Sequence, residues 1–180
     1  MSLNYCSHCG SADLQIRVPE HDNVQRIICG NCQTVHYDNP KIIVSCIPVK
    51  DDKILLCKRA IEPAKGKWTI PGGYMENGET AEEGAARETW EEAHAKVEIQ
   101  RLHTLYSLPT VNQVYVIFLG KLISDFSAGP ESLEVALFSE EEIPWDELVF
   151  SSARFALKHY FDNRGETQTH QGFYVPGIKH

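Results

Sequence analysis

The chain is predicted to be an α/β protein with a small metal-stapled ribbon ahead of its main domain. Three features of the sequence carry that prediction. Paired Cys-x-x-Cys knuckles stand at Cys6 and Cys9 and again at Cys29 and Cys32. Runs rich in β-branched residues, such as KIIVSCIPV and KILLCKR, read as buried strands, and a capped helix is written between strands from Thr80 onward.

The ribbon comes first. The two cysteine pairs of residues 1–39 are separated by 19 residues, a spacing that closes a tetrahedral thiolate site around zinc. Four ligands, Cys6, Cys9, Cys29 and Cys32, leave no open position, so the zinc is expected to be structural. The segment between them has only short apolar runs, too little for a core of its own, and metal binding would supply much of its folding energy. Two disulfides in an oxidising compartment are the competing reading. Arg17 and Arg26 are outnumbered here by Asp13, Glu20, Asp22 and Asp38, so the ribbon is a poor phosphate-backbone binder and suits a dimer or substrate-rim role.

Asn39-Pro40 marks the boundary to the main domain, residues 40–162. Its first two strands form a hairpin about Asp51-Asp52, with Cys46 and Cys57 as small core residues inside them. Arg59, ending the second strand, can reach a substrate phosphate or simply face solvent. Trp68 is expected to pack beneath the loop that leads to the Pro71 turn. Beyond the helix, KVEIQRLHTLYSL, NQVYVIFLGKL and LEVALF read as strands, and FSSARFALKHYF as a closing helix with Phe155, Leu157, Tyr160 and Phe161 on one apolar face. Residues 163–180 are polar with Gly and Pro, and an extended C-terminal tail is expected.

The stretch GYMENGETAEEGAARETWEEAHA carries the chemistry. Thr80 and Glu83 form a capping box, and on the helix that follows Glu88, Glu91 and Glu92 stand at i, i+3 and i+4 and project from one face. Ala86, Trp90 and Ala93 fall on the opposite side and are expected to bury. Like charges at that spacing repel; Arg87 offsets part of the repulsion and a divalent cation would offset the rest. In the Pro71-Gly72-Gly73 turn, missing side chains let a backbone carbonyl approach an ion, and oxygen ligands of this kind suit magnesium or manganese.

That stretch resembles the Nudix box. Gly73, Glu79, Arg87, Glu88, Thr89, Glu91 and Glu92 match its pattern, while His94 replaces the expected Gly at the helix C-terminus and Ala95 is a small version of the last position. The resemblance implies an α/β/α sandwich, a mixed sheet flanked by helices with the box as loop-helix-loop. It implies a hydrolase for the diphosphate linkage of a nucleoside diphosphate derivative, with Mg2+ or Mn2+ held by Glu88, Glu91, Glu92 and the Gly73 carbonyl. Arg87 would orient Glu91. The general base would be a box glutamate, Glu91 or Glu92, or one from a later loop, with Glu134 the first candidate and Glu131 the second; an exposed strand-start residue is the other reading of Glu134.

The ribbon-plus-box pairing, together with ESLEVALFSEEEIPWDELVF, is similar to a group acting on ADP-ribose and FAD and releasing AMP. The alternatives are an NADH pyrophosphatase that also removes NAD caps from RNA, and a non-catalytic nucleotide sensor. The Ser-Gln-Pro-Trp-Pro-Phe run of the former is replaced here by YSLPTVNQVYVIF. A homodimer is implied by the resemblance. Composition sets the outer limits: 180 residues with 42% hydrophobic content support one core plus an appendage, and a net charge of −8 argues against a general nucleic-acid grip and against anionic membranes. No apolar run approaches the roughly 20 residues of a membrane span, and the N-terminus lacks the layout of a signal peptide, so a soluble, cytoplasmic protein is expected.

Overall fold

Four cysteines and three short strands make the first of two compact units, Met1–Asn39 and Pro40–His180. The structure is a computed structural model that describes residues 3–177. In the first unit β1 (Leu14–Arg17), β2 (Arg26–Cys29) and β3 (Val35–His36) pair antiparallel in that order. Strands this short bury little, and among the described residues of the unit Cys6, Ile28 and Cys29 are the buried apolar ones. The cysteine cluster therefore sits where a core would. None of the four is in a disulfide, and their sulfurs all lie within 4.8 Å of one another.

The second unit holds β4 (Lys41–Lys50), β5 (Lys53–Arg59), β6 (Trp68–Thr69), β7 (Gly72–Tyr74), α1 (Ala81–Ala93), β8 (Val97–Leu108), β9 (Gln113–Leu122), β10 (Ser132–Phe138), α2 (Ser151–Asp162) and β11 (His170–Phe173). The sheet runs β10-β5-β4-β9-β8-β11, with β6 beside β5 and β7 beside β4. It is mixed: β4 with β9 and β8 with β11 are parallel, the other pairs antiparallel. The β4–β5 hairpin turns on Asp51 and Asp52, both at positive φ, which matches the right-handed twist of the flanking strands.

Alternation along β4 sends its side chains to two cores. Ile47 packs with Ile117 and Leu119 under Ala153, Ala156 and Leu157 of α2. Val44 and Cys46 face the other way and pack with Phe118 and Ala85 of α1. A helix thus covers each face, giving the α/β/α sandwich. Trp68 is buried, edge-on to Phe138 at 4.9 Å between ring centroids. Burial pushes the Cys46 thiol up to about 12 and raises that of Cys57 as well, as suits inert core residues.

Two expectations need correction. The expected C-terminal tail is in part a strand: β11 pairs parallel to β8, with His170 opposite Thr104 and Phe173 opposite Ser107. Arg101 anchors the approach to it by donating to the Glu166 carbonyl at 2.7 Å and the Gln168 carbonyl at 3.0 Å. The buried face of α1 is also different, because it is made by Gly84, Ala85, Thr89, Glu92 and Ala93, while Trp90 is 48% exposed. A Cβ at position 84 would meet Val44 Cγ2 at 2.9 Å, so small residues let α1 lie close on β4 where an indole would not fit.

Candidate active site

The cleft forms where β4 changes partners. β7 pairs with residues Ile43 to Ser45 of β4, and β5 pairs with Val49 and Lys50 at its far end. Into that split opens a cleft of about 890 Å³. α1 supplies one wall with Arg87, Glu88, Glu91 and Glu92; strands β4, β7 and β9 supply another with Ile43, Tyr74, Gln113 and Tyr115.

The local sequence sets α1 at the required angle. Thr80 Oγ1 accepts from the Glu83 amide at 3.2 Å, and Glu83 Oε2 accepts from the Thr80 amide at 2.8 Å, completing the capping box. At the other end His94 takes the left-handed conformation, φ 44 and ψ 32, and its N–H donates to the Trp90 carbonyl. His94 therefore performs the turn expected of Gly, with its Nδ1 3.0 Å from Ser127 Oγ.

Arg87 ties the wall together. Its Nε and Nη2 donate to Glu79 at 2.9 and 2.8 Å, Nη1 donates to Glu88 at 2.8 Å and Glu91 at 3.1 Å, and Nη2 also reaches the Tyr74 carbonyl at 3.1 Å. The hydrogen bonds to Glu79 above all raise the affinity of Arg87 for its proton. In return Arg87, helped by the Glu76 amide, holds Glu79 down to about 2.

The acids behind this tie move the other way. Burial raises Glu88 against the pull of Arg87. It pushes Glu92 up to about 8, with the nearby charges of Glu88 and Glu131 adding to the effect and the Gly72 amide, 3.2 Å from Oε2, opposing it. Buried carboxylates crowded together in this way suit a divalent cation, whose charge would reverse the penalty. Gly73 faces Glu88 so closely that a Cβ there would stand 2.5 Å from Oε1 and would push the Glu88 carboxylate aside. The donor set fits a hard cation. Among the described residues, however, only the four cysteines gather three or more ligand atoms within 4.8 Å of one another. Glu91, whose side chain is 54% exposed, turns its oxygen to Arg87 instead.

The remaining predicted residues divide. Arg59 lines the cleft, donating from Nε to the Pro63 carbonyl at 2.8 Å with its guanidinium 5.3 Å from the Phe150 ring centroid. Glu134 is not among the residues that line it. A register irregularity between Ser132 and Glu134 leaves Glu134 opposite Lys58, whose Nζ is 3.5 Å from its exposed carboxylate. Glu131, ranked second from the sequence, lines the cleft. Tyr74, Gln113 and Tyr115 carried no signal by themselves, because strand register alone brings them together. In the ribbon, the Thr34 hydroxyl and amide hold the Cys32 thiol down to about 6, favouring the thiolate that a metal takes.

Comparison with known proteins places both units. The model described as "NUDIX domain" matches residues 39–159, and the one described as "Nudix N-terminal", a zinc-ribbon family, matches residues 4–38. The chain is 34% identical over 113 residues to the ADP-ribose pyrophosphatase of Methanocaldococcus jannaschii, covering 60% of this chain and 67% of that one. It is 35% identical over 151 residues to the NAD-capped RNA hydrolase NudC of Vibrio parahaemolyticus, covering 79% of this chain and 54% of that one, so the chain spans about half the length of this relative. A crystal structure of a Nudix hydrolase from Nitrosomonas europaea superposes with a TM-score of 0.91 at 51% identity, covering 96% of this chain and 99% of that one. With Gly73, Arg87, Glu88, Glu91 and Glu92 of the box on one cleft and family models matching both units, the chain belongs to the Nudix hydrolases, with an N-terminal zinc ribbon.

Proposed function

We propose that the protein hydrolyses nucleoside diphosphate derivatives at the diphosphate linkage, with ADP-ribose the foremost substrate and FAD the second, releasing AMP. One observation carries the reading. A single cleft sets an acidic wall tied by Arg87 against an uncharged, largely aromatic one, and these suit a metal-bound diphosphate and a nucleoside respectively. The name of the Methanocaldococcus jannaschii relative points the same way.

Glu88, Glu91, Glu92 and the Gly73 carbonyl would hold Mg2+ or Mn2+, which when bound neutralises phosphate oxygens and lowers the pKa of water. The chain's own residues do the rest. Arg87 holds Glu88 and Glu91 in place while keeping Glu79 ionised, and it acts as a positioning residue. Because Glu131 lines the cleft and Glu134 does not, Glu131 is the later-loop glutamate proposed to take the proton of the attacking water, with Glu91 and Glu92 as the box alternatives. Arg59 supplies a cation for the substrate's phosphates.

A second reading, cleavage of NADH or of NAD caps on RNA, is favoured by the relative from Vibrio parahaemolyticus. The acidic ribbon weighs against an RNA substrate. A product-resolved assay with magnesium or manganese on ADP-ribose, FAD, NADH and NAD-capped RNA at equal concentrations separates the two. Preference for ADP-ribose or FAD with release of AMP supports the first. Glu91→Gln is expected to lower kcat by at least about 100-fold with the fold intact; a wild type with no turnover to lose would make the domain a nucleotide sensor. The dimer implied by the family resemblance belongs to the same proposal, and light scattering showing one 20.3 kDa protomer would refute it.

A further inference from the structure

The uncharged wall of the cleft holds an amide with a fixed bonding balance. Register brings Tyr74, Ile43 and Tyr115 into one row across β7, β4 and β9, and sets Gln113 beside Lys41 two positions along. Gln113 Nε2 donates to the Tyr74 hydroxyl at 3.3 Å, and the Tyr115 hydroxyl donates to Gln113 Oε1 at 3.2 Å. A primary amide has two N–H donors and two acceptor lone pairs. One of each is taken by the tyrosines, so one donor and one acceptor remain side by side. Exchanging the amide oxygen and nitrogen leaves the same balance, because each hydroxyl can donate or accept.

We propose that Gln113, clamped between Tyr74 and Tyr115, is the specificity residue that selects adenine over guanine and hypoxanthine; the inference rests on reading the cleft as a nucleoside diphosphate site. Adenine offers an amino donor beside the N7 acceptor, the complement of what the amide has left, and paired Gln–adenine contacts use this geometry. Presented by this same edge, guanine and hypoxanthine place a carbonyl oxygen beside N7, so two acceptors would meet one donor and one acceptor; their O6 and N1–H edge would match the amide only with the base rotated to present it. The amide cannot offer a second donor without losing its bond to a tyrosine. Beside it, Ile43 and the half-exposed Tyr74 ring give a base apolar and aromatic surface to lie against, with the Lys41 ammonium 5.0 Å from the Tyr74 ring centroid.

The test compares kcat/KM for ADP-ribose and for its inosine counterpart on the wild type and on Gln113→Met, with calorimetric dissociation constants for AMP and IMP measured in parallel. A paired contact of this kind discriminates by about 5- to 150-fold. The wild type is expected to prefer the adenine compounds by that factor in both measurements, and Gln113→Met to bring both ratios close to one. A wild type that binds AMP and IMP alike overturns the inference, and so does a variant that keeps the preference. Should the wild type hydrolyse neither ADP-ribose nor its inosine counterpart, the proposed activity on ADP-ribose fails by itself, and the AMP and IMP constants, which need no turnover, still decide the role of Gln113. Tyr115→Phe removes one of the two bonds on the amide and is expected to lower the same ratio; an unchanged ratio there counts against the clamp even where Gln113→Met does not fold.

Discussion

The guanidinium of Arg87 donates to Glu79, Glu88, Glu91 and the Tyr74 carbonyl at once, which only a planar fork can do. A lysine at this position would present a single ammonium and could satisfy one or two of those acceptors. Arg87→Lys is therefore expected to lower activity by about 10- to 100-fold, as is usual for residues that orient metal ligands. The concentration of Mg2+ or Mn2+ giving half-maximal rate should rise as well; an unchanged metal requirement would mean that Arg87 does not position the acids. At this scale much of the site was legible in the chain, since the spacing of Glu88, Glu91 and Glu92 and the Gly-Gly turn before them are local properties. The positions of Glu131 and Glu134 were not local. An irregularity in strand pairing beside β10 sends Glu134 to Lys58 and leaves Glu131 at the cleft.

Helix α1 joins the capping box, the acidic face at the cleft and the left-handed cap in one element, so its stability bears on the site directly. Thr80→Ala removes the side-chain acceptor for the Glu83 amide. Loss of an N-cap costs about 1 kcal/mol, which for a chain of this size lowers Tm by about 2–4 °C. Calorimetry on the variant checks this, and an unchanged Tm would mean that the first turn is held by packing alone. The start of the helix could be read from the chain, because the capping box depends on residues within one turn, whereas the left-handed cap at His94 came from the structure. Its buried face could not. The wheel placed Trp90 inward, but Gly84, Ala85 and Thr89 make the closer contact with β4, with the Thr89 hydroxyl satisfied by the Ala85 carbonyl at 2.7 Å. Glu92 is buried along with them, and that burial is what raises it to about 8.

Over the whole molecule, the joining of α2 and β11 to β8 brings three histidines together. His103 of β8 is buried, its Nε2 2.9 Å from the Ala156 carbonyl and its Nδ1 without a hydrogen-bond partner. The His170 ring lies 5.5 Å away and stacks on His159 at 4.2 Å. Burial lowers His103 to about 4 from an ordinary value of 6.5, with Arg101, His170 and His159 adding to the effect. The folded state then binds fewer protons than the unfolded one between those two values, so stability rises with pH across the window and is lost as pH falls from about 6.5 to about 4. The full shift corresponds to about 3 kcal/mol. Denaturant unfolding at pH 7 and pH 4.5 is expected to show a smaller loss for His103→Gln than for the wild type, and equal losses would place the acid sensitivity elsewhere.

What the sequence determined by itself was whatever depends on neighbours along the chain. The Cys-x-x-Cys pairs, the N-terminal capping box of α1, the i, i+3, i+4 acids, the Asp51-Asp52 turn and the strand runs all rest on spacings of a few residues, and each is present in the structure. What only the tertiary structure decided depends on how distant strands align. The pairing of β11 with β8 turned part of an expected tail into a strand, and the closeness of α1 to β4 chose which side of the helix to bury. The registers of β7, β4 and β9 set Gln113 between two tyrosines from different strands. Register and close packing are settled by contacts between residues far apart in the chain, and no local pattern encodes them.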